Sequence, residues 1–176
     1  WLAEKMVKRH PNAIAWLPAV GLIACVPFYV IGFSAENKWV ALAGICTGAG
    51  IKYGYIAAQY TIGQGVVSMR VRATSTAILL FIVNLIGYGG GPPFIGYLSD
   101  MLFAMQANAE GFAEIARASC KGTSLAALPE AAQAFCRGAD AKALQNSLVI
   151  TAVLYAVPSI FFLLCVKTLQ KDLVAK

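Results

Sequence analysis

Apolar and polar positions fall in long blocks along this chain. Four apolar blocks, residues 13–33, 39–67, 73–98 and 147–166, are separated by short polar stretches at 34–38 and 68–72 and by one long polar segment, 99–146. A bilayer core takes about 20 mostly apolar residues as a helix, so each block predicts one membrane crossing. A soluble helix would carry a polar face at the 3.6-residue period. The first and last blocks, "AIAWLPAVGLIACVPFYVIGF" and "SLVITAVLYAVPSIFFLLCV", have no charged residue and read as walls facing lipid. Pro18, Pro27 and Pro158 predict local kinks, which membrane helices tolerate. The first block is too long for a signal peptide, and no small-residue cleavage pattern follows it. The expected fold class is all-α: a polytopic membrane helix bundle.

The second block differs. It holds Lys52, with Tyr55, Gln59 and Gly63 at i+3, i+7 and i+11, and Thr47 and Gly48 one turn earlier. On a helix these residues share one side. A Lys at mid-membrane costs roughly 2.5 kcal/mol or more, so it must face protein or a water-filled cavity. Two readings fit: Lys52, Tyr55 and Gln59 line a substrate route for an anionic group, or Lys52 snorkels or pairs with a carboxylate elsewhere. Gly44, Gly48, Gly50 and Gly54 favour close helix contact in either case.

The third block carries Thr76, Asn84 and Tyr88 on one face and then "GYGGGPP", the strongest helix breakers inside an apolar run. Gly87 and Gly91, with Gly96 beyond, form a small-residue seam. Pro92 and Pro93 remove two N–H groups and bend the helix. Asn84 either lines the route or bridges helices.

Composition agrees with this picture: 59% of residues are hydrophobic and 12% charged, against about a quarter charged in soluble domains. With four crossings, one side collects Lys5, Lys8, Arg9, Arg70, Arg72, Lys167, Lys171 and Lys176 against Glu4 and Asp172. The other collects Lys38, Arg117, Lys121, Arg137 and Lys142 against Glu36, Asp100, Glu110, Glu114, Glu130 and Asp140. Lys and Arg near span ends favour the cytoplasm, so residues 1–12 and the tail 167–176 are expected there and 99–146 in the periplasm. The net charge of +6 follows from topology; with no basic stripe among exposed aromatics, no nucleic-acid partner is expected. Trp16, Trp39, Tyr97 and Tyr155 lie near expected span ends, the headgroup zone.

The outer segment is Ala-rich, with "FAEIARAS" and "LPEAAQAF" compatible with short helices and Gly111, Gly122, Pro129 and Gly138 as punctuation. It has no catalytic constellation, cofactor fingerprint or metal-ligand cluster, so no enzyme, cofactor or metal is expected. Cys120 and Cys136 lie in it, while Cys25, Cys46 and Cys165 lie inside spans as packing residues. In an oxidising space the two loop cysteines pair as a structural disulfide; otherwise they are free thiols. No Asp or Glu lies inside a span, so any proton-coupling carboxylate is outside this chain.

The stretch "SMRVRATSTAILLFIVNLIGYGGGPPFIGYLSD" resembles the segment from the loop after helix ten through helix eleven of a major facilitator superfamily transporter, most similar to the bacterial spinster-like branch. Arg70, Arg72, Ala73, Asn84, Gly87, Gly91, Pro92, Gly96 and Asp100 match that pattern. "WLAEKMVKR" resembles the basic loop between helices eight and nine, with Glu4 and Lys5 where the family favours Asp and Arg. The resemblance implies helices nine to twelve of a twelve-helix carrier in the bacterial inner membrane, with both termini of this segment cytoplasmic. It implies secondary transport of a small organic or amphipathic solute by alternating access around a midplane site. Helix ten would line the cavity, and helices nine and twelve would sit outside. Arg70 and Arg72 would then serve a cytoplasmic gate or simply mark topology. Departures are the long outer loop and Lys52, which is not a general family residue. The expected partners are the solute, the bilayer and a missing N-terminal half, since the chain starts at Trp1 without an initiator Met. The alternative is a four-span oligomeric scaffold or accessory subunit.

Overall fold

The computed structural model describes residues 13–115, 117–120, 122–167 and 169. The basic stretch 1–12, with Glu4 and Lys5, and the tail from 170 lie outside the described residues, so their expected cytoplasmic roles are not addressed by the fold. All regular structure among the described residues is helical. The helices are α1 (Ala13–Ser34), α2 (Lys38–Gly65), α3 (Arg72–Asn84), α4 (Gly91–Ala109), α5 (Gly122–Ala126), α6 (Glu130–Val153) and α7 (Ala156–Cys165). Met69–Val71 and Arg117–Cys120 are 3₁₀ turns, and Leu85–Gly90 is a π-helical turn. Four stretches are long and apolar enough to cross a bilayer: Ala13–Ser34, Lys38–Gly65, Met69–Ala109 and Glu130–Cys165.

Backbone contacts divide the chain into two compact units, Trp1–Gly87 with Ala152–Lys176, and Tyr88–Thr151. In the first, α1 packs against both α2 and α7. Its enclosed face is Ala15, Pro18, Ala19, Leu22, Cys25, Tyr29 and Gly32, at helical spacing. α1 is the centre of this unit, while its other face, with Val20, Ile23 and Ile31, is exposed. An N-cap starts α2, where the Asn37 side chain accepts from the Trp39 N–H at 2.9 Å. At its other end the Gln64 amide donates to the Thr76 hydroxyl at 3.1 Å, and Ser75 donates to the Gly63 carbonyl at 3.4 Å, tying α2 to α3.

Glycine decides how closely α1 and α2 approach. A Cβ on Gly44 would stand 2.8 Å from Gly32 Cα and 2.9 Å from the Phe28 carbonyl oxygen. One on Gly48 would stand 3.3 Å from the Tyr29 ring. Gly50 and Gly54, expected to share this role, point at open space.

The proline pair explains the break in the third helical stretch. Pro92 and Pro93 have no N–H to offer the carbonyls of Tyr88 and Gly89, and the helix widens into the π turn just before them. A Cβ added at Gly87, Gly91 or Gly96 would meet nothing within 4 Å. The small-residue seam is therefore unfilled by the described residues.

In the second unit the helices extend into the segment expected to be a polar connection. The pattern Ser99, Phe103, Ala107 carries α4 to Ala109, and Ala132, Cys136, Ala139, Ala143 carries α6 from Glu130. Both faces meet in a small core of their own, joined by Phe112, Phe135 and Cys120. The helical period continues past the bilayer-length block because these apolar positions have this core to enter. Gly111 ends α4 with φ 81°, a conformation that favours glycine, and lets the Phe112 N–H reach back to the Ala107 carbonyl at 2.7 Å. Gly138 is no punctuation; it lies inside α6. The described residues of "FAEIARAS" form turns rather than an α-helix, ending in the Arg117–Cys120 turn.

Candidate functional site

Lys52 sits in the middle of α2 and donates its ammonium to the Tyr155 hydroxyl at 3.1 Å. The ammonium also stands 5.0 Å from the Tyr155 ring centroid and 5.7 Å from that of Tyr53, within cation–π range. Among the described residues it has no ion pair. Of the two bland roles expected for Lys52, pairing with a carboxylate is therefore not realised among them; its partner is a phenol.

Tyr155 owes its position to a helix break. Pro158 cannot supply the N–H that would bond the Leu154 carbonyl in an unbroken helix. The Val157 N–H takes that carbonyl at 3.0 Å instead, and residues 154–155 form a turn between α6 and α7. Behind it, the Tyr29 ring packs on Tyr155 with centroids 5.8 Å apart and stacks on Phe33 at 5.6 Å. Tyr29 fits because Gly48 has no side chain to fill its place. Tyr155, expected near a span end, is the hydrogen-bond partner of Lys52. The available signal was Pro158 three residues on.

Tyr55 and Gln59 are half-buried one and two turns along from Lys52, on the side of α2 that carries Gly44 and Gly48. The polar stripe is thus on the side turned toward α1. The opposite face, with Ala43, Gly50, Gly54 and Ala57, is exposed, and the Thr61 hydroxyl there bonds back to the Ala57 carbonyl at 2.8 Å. Asn84, at the end of α3, is exposed and is not brought to the Lys52 cluster. Arg70 is exposed in its 3₁₀ turn, while Arg72 opens α3 with its Nε buried and without a hydrogen-bond partner.

The second unit holds a separate polar cluster. Arg117 donates to Asp140 and, at 2.8 Å, to Asp100. Burial works against its charge, but the two carboxylates outweigh that and hold its pKa above the ordinary value. The disulfide Cys120–Cys136 lies next to it, with the sulfurs 1.97 Å apart. A cleft of about 600 Å³ adjoins Arg117, lined by Asp100, Phe103, Asn108 and Ile115. Arg117→Gln is expected to lower the stability of the protein by about 1 kcal/mol. Water screens the link to Asp100, whose side chain is 65% exposed, while Asp140 is more enclosed at 34%. Thermal unfolding checks this, and an unchanged midpoint would remove the cluster from the fold's stability.

No family model matches the chain. Two crystal structures of a bacterial homolog to the human lysosomal transporter Spinster, both inward-facing, superpose over 99% of it with a TM-score of 0.84. The unoccupied one is 34% identical and the occupied one 35%. An MFS-type efflux pump of Mycolicibacterium smegmatis is 28% identical over 101 residues, 57% of this chain. The chain spans 37% and 38% of the two structural relatives and 23% of the pump.

Proposed function

We infer that this chain, whose likeness to bacterial Spinster-type transporters of the major facilitator superfamily runs along 99% of its length, is part of a secondary transporter. It moves a small organic or amphipathic solute across the bacterial inner membrane by alternating access, together with the rest of a longer carrier that supplies the N-terminal half. The observation that carries this reading is the combination of 34% identity with a TM-score of 0.84 over nearly every residue. The four apolar helical stretches support the multi-pass placement. The charge asymmetry supports cytoplasmic ends for this segment and a periplasmic position for the disulfide-bearing stretch.

Within this reading Lys52, Tyr55 and Gln59 serve the solute route. Asn84 and the open glycines Gly87, Gly91 and Gly96 face the missing half, with the bend at Pro92. Arg70 and Arg72 lie at the cytoplasmic end, where the unpartnered Arg72 Nε would meet a gate carboxylate.

The test is solute uptake by liposomes containing the parent protein, screened with labelled organic anions and amphipathic lipids. Accumulation of at least one labelled solute is expected, and none by liposomes holding only these 176 residues. Uptake by the short chain alone would overturn the need for a second half. A reading frame that opens close to Trp1, with no further spans upstream, would favour a four-span scaffold.

A further inference from the structure

We propose that α4 and α6, the outer parts of the third and fourth helical stretches, form one stapled arm that is articulated on the rest of the chain at two built-in helix breaks. The arm is a property of these residues; its use as an outer gate rests on the carrier reading.

The breaks fall where the chain passes between its two compact units. One passage is at Gly87–Tyr88 and the other at Thr151–Ala152. The π turn Leu85–Gly90 straddles the first, and the turn at 154–155 follows closely on the second. Proline makes both breaks. Pro92 and Pro93 stand in the first turn of α4, and Pro158 stands in the first turn of α7. There a missing N–H costs least, and a helix starts anew instead of continuing the one before.

At the first break no neighbour braces the backbone. A Cβ at Gly87, Gly89, Gly90 or Gly91 would meet no described atom within 4 Å. Glycine also leaves the dihedral angles there free to change.

The ties on the two sides of each break lead to different partners. In the first unit, α3 is held to α2 by the Gln64–Thr76 and Ser75–Gly63 hydrogen bonds, and α7 packs on α1. In the second unit, α4 and α6 are held to each other. The Arg117–Cys120 turn is the strap between them. Arg117 bonds Asp100 of α4 and Asp140 of α6, and Cys120 is joined to Cys136 of α6. Phe103 of α4 also packs on Phe135 of α6. A bend at one break alone would pull this strap and core apart, so α4 and α6 swing together as a hinged body. Within the carrier, the swing moves the periplasmic end of the third stretch while α3 keeps its place on α2.

The experiment measures distances between pairs of spin labels on the parent protein in liposomes, with its free thiols replaced and the disulfide kept. Labels at Met105 and Leu144, both exposed, report inside the arm, and labels at Met105 and Ile23, exposed on α1, report across the breaks. The distribution across the breaks is expected to be at least about twofold wider than the one inside the arm. Pro92→Ala and Pro93→Ala supply N–H partners for the Tyr88 and Gly89 carbonyls, and Pro158→Ala supplies one for Leu154. The triple variant is expected to narrow the distribution across the breaks to the width found inside the arm. It is also expected to slow uptake of a solute that the wild type accumulates by about tenfold. Cys120→Ser with Cys136→Ser is expected to widen the Met105–Leu144 distribution, and Arg117→Gln, which keeps the bridge, to widen it less.

A wild-type distribution across the breaks as narrow as the one inside the arm would overturn the articulation. So would a triple variant that keeps the wild-type width, its fold being checked by an unchanged Met105–Leu144 distance. A Met105–Leu144 distribution unchanged in both the double serine variant and Arg117→Gln would overturn the staple. A hinged arm without uptake of any solute would keep the arm and overturn the carrier. Wild-type uptake in a stiffened triple variant would keep the carrier and overturn the gate.

Discussion

Gly44→Leu in the parent protein is expected to destabilise the first unit by about 3 kcal/mol, at the upper end for an overpacked contact. The reason is what a side chain would strike. The nearest atoms to a Cβ at this position are Gly32 Cα at 2.8 Å and Gly32 N and Phe28 O at 2.9 Å, all backbone. Backbone cannot swing aside as a flexible side chain can, so α1 and α2 must separate. Separation also lifts Tyr29 from Gly48, and with it the ring against which Tyr155 holds Lys52. Gly50→Ala and Gly54→Ala are the controls. Both have open space, and alanine favours helix over glycine by up to about 1 kcal/mol, so neither should lose stability. Thermal unfolding in detergent, followed by tryptophan fluorescence, reads all three. A Gly44→Leu midpoint equal to that of the controls would contradict the close crossing.

Opening the Cys120–Cys136 bond is the second large effect. The bridge joins the 3₁₀ turn to α6 across 16 positions, a loop for which the chain-entropy account gives about 3 kcal/mol. The core it closes is small, built around Phe103, Phe112 and Phe135 with their rings stacked or tilted against one another. Such a core has little apolar surface in reserve. Cys136 is 2% exposed and Cys120 9%, so reduction should be slow unless the unit is first loosened by denaturant. Denaturant unfolding with and without reductant is the measurement. The midpoint should fall on reduction, and the Cys120→Ser, Cys136→Ser double variant should match the reduced protein and ignore reductant. An unchanged midpoint, with both thiols shown free by alkylation, would contradict the bridge's role.

The existence of four membrane-length helices was legible because block hydrophobicity needs only composition and length. So was the α2 stripe, because Lys52, Tyr55 and Gln59 are related by helical spacing alone. What the stripe faces was not legible. The partner of Lys52 lies 103 positions away on the last helical stretch, and nothing local distinguishes Tyr155 from an interfacial aromatic. Glycine spacing failed in a similar way. Gly44 and Gly48 repeat at four residues, as do Gly50 and Gly54, and only the docking of α1 decides which pair is used. The long outer segment looks like a connection because its hydropathy is low, yet its alanines keep a helical period that low mean hydropathy hides.

The unused face of α2 has a consequence for packing. Ala43, Gly50, Gly54 and Ala57 leave the main chain nearly bare along it, and the Thr61 hydroxyl is turned back onto its own helix. Small residues of this kind let a second helix backbone come close, so this face can take a tight crossing like the one that Gly44 and Gly48 make with α1.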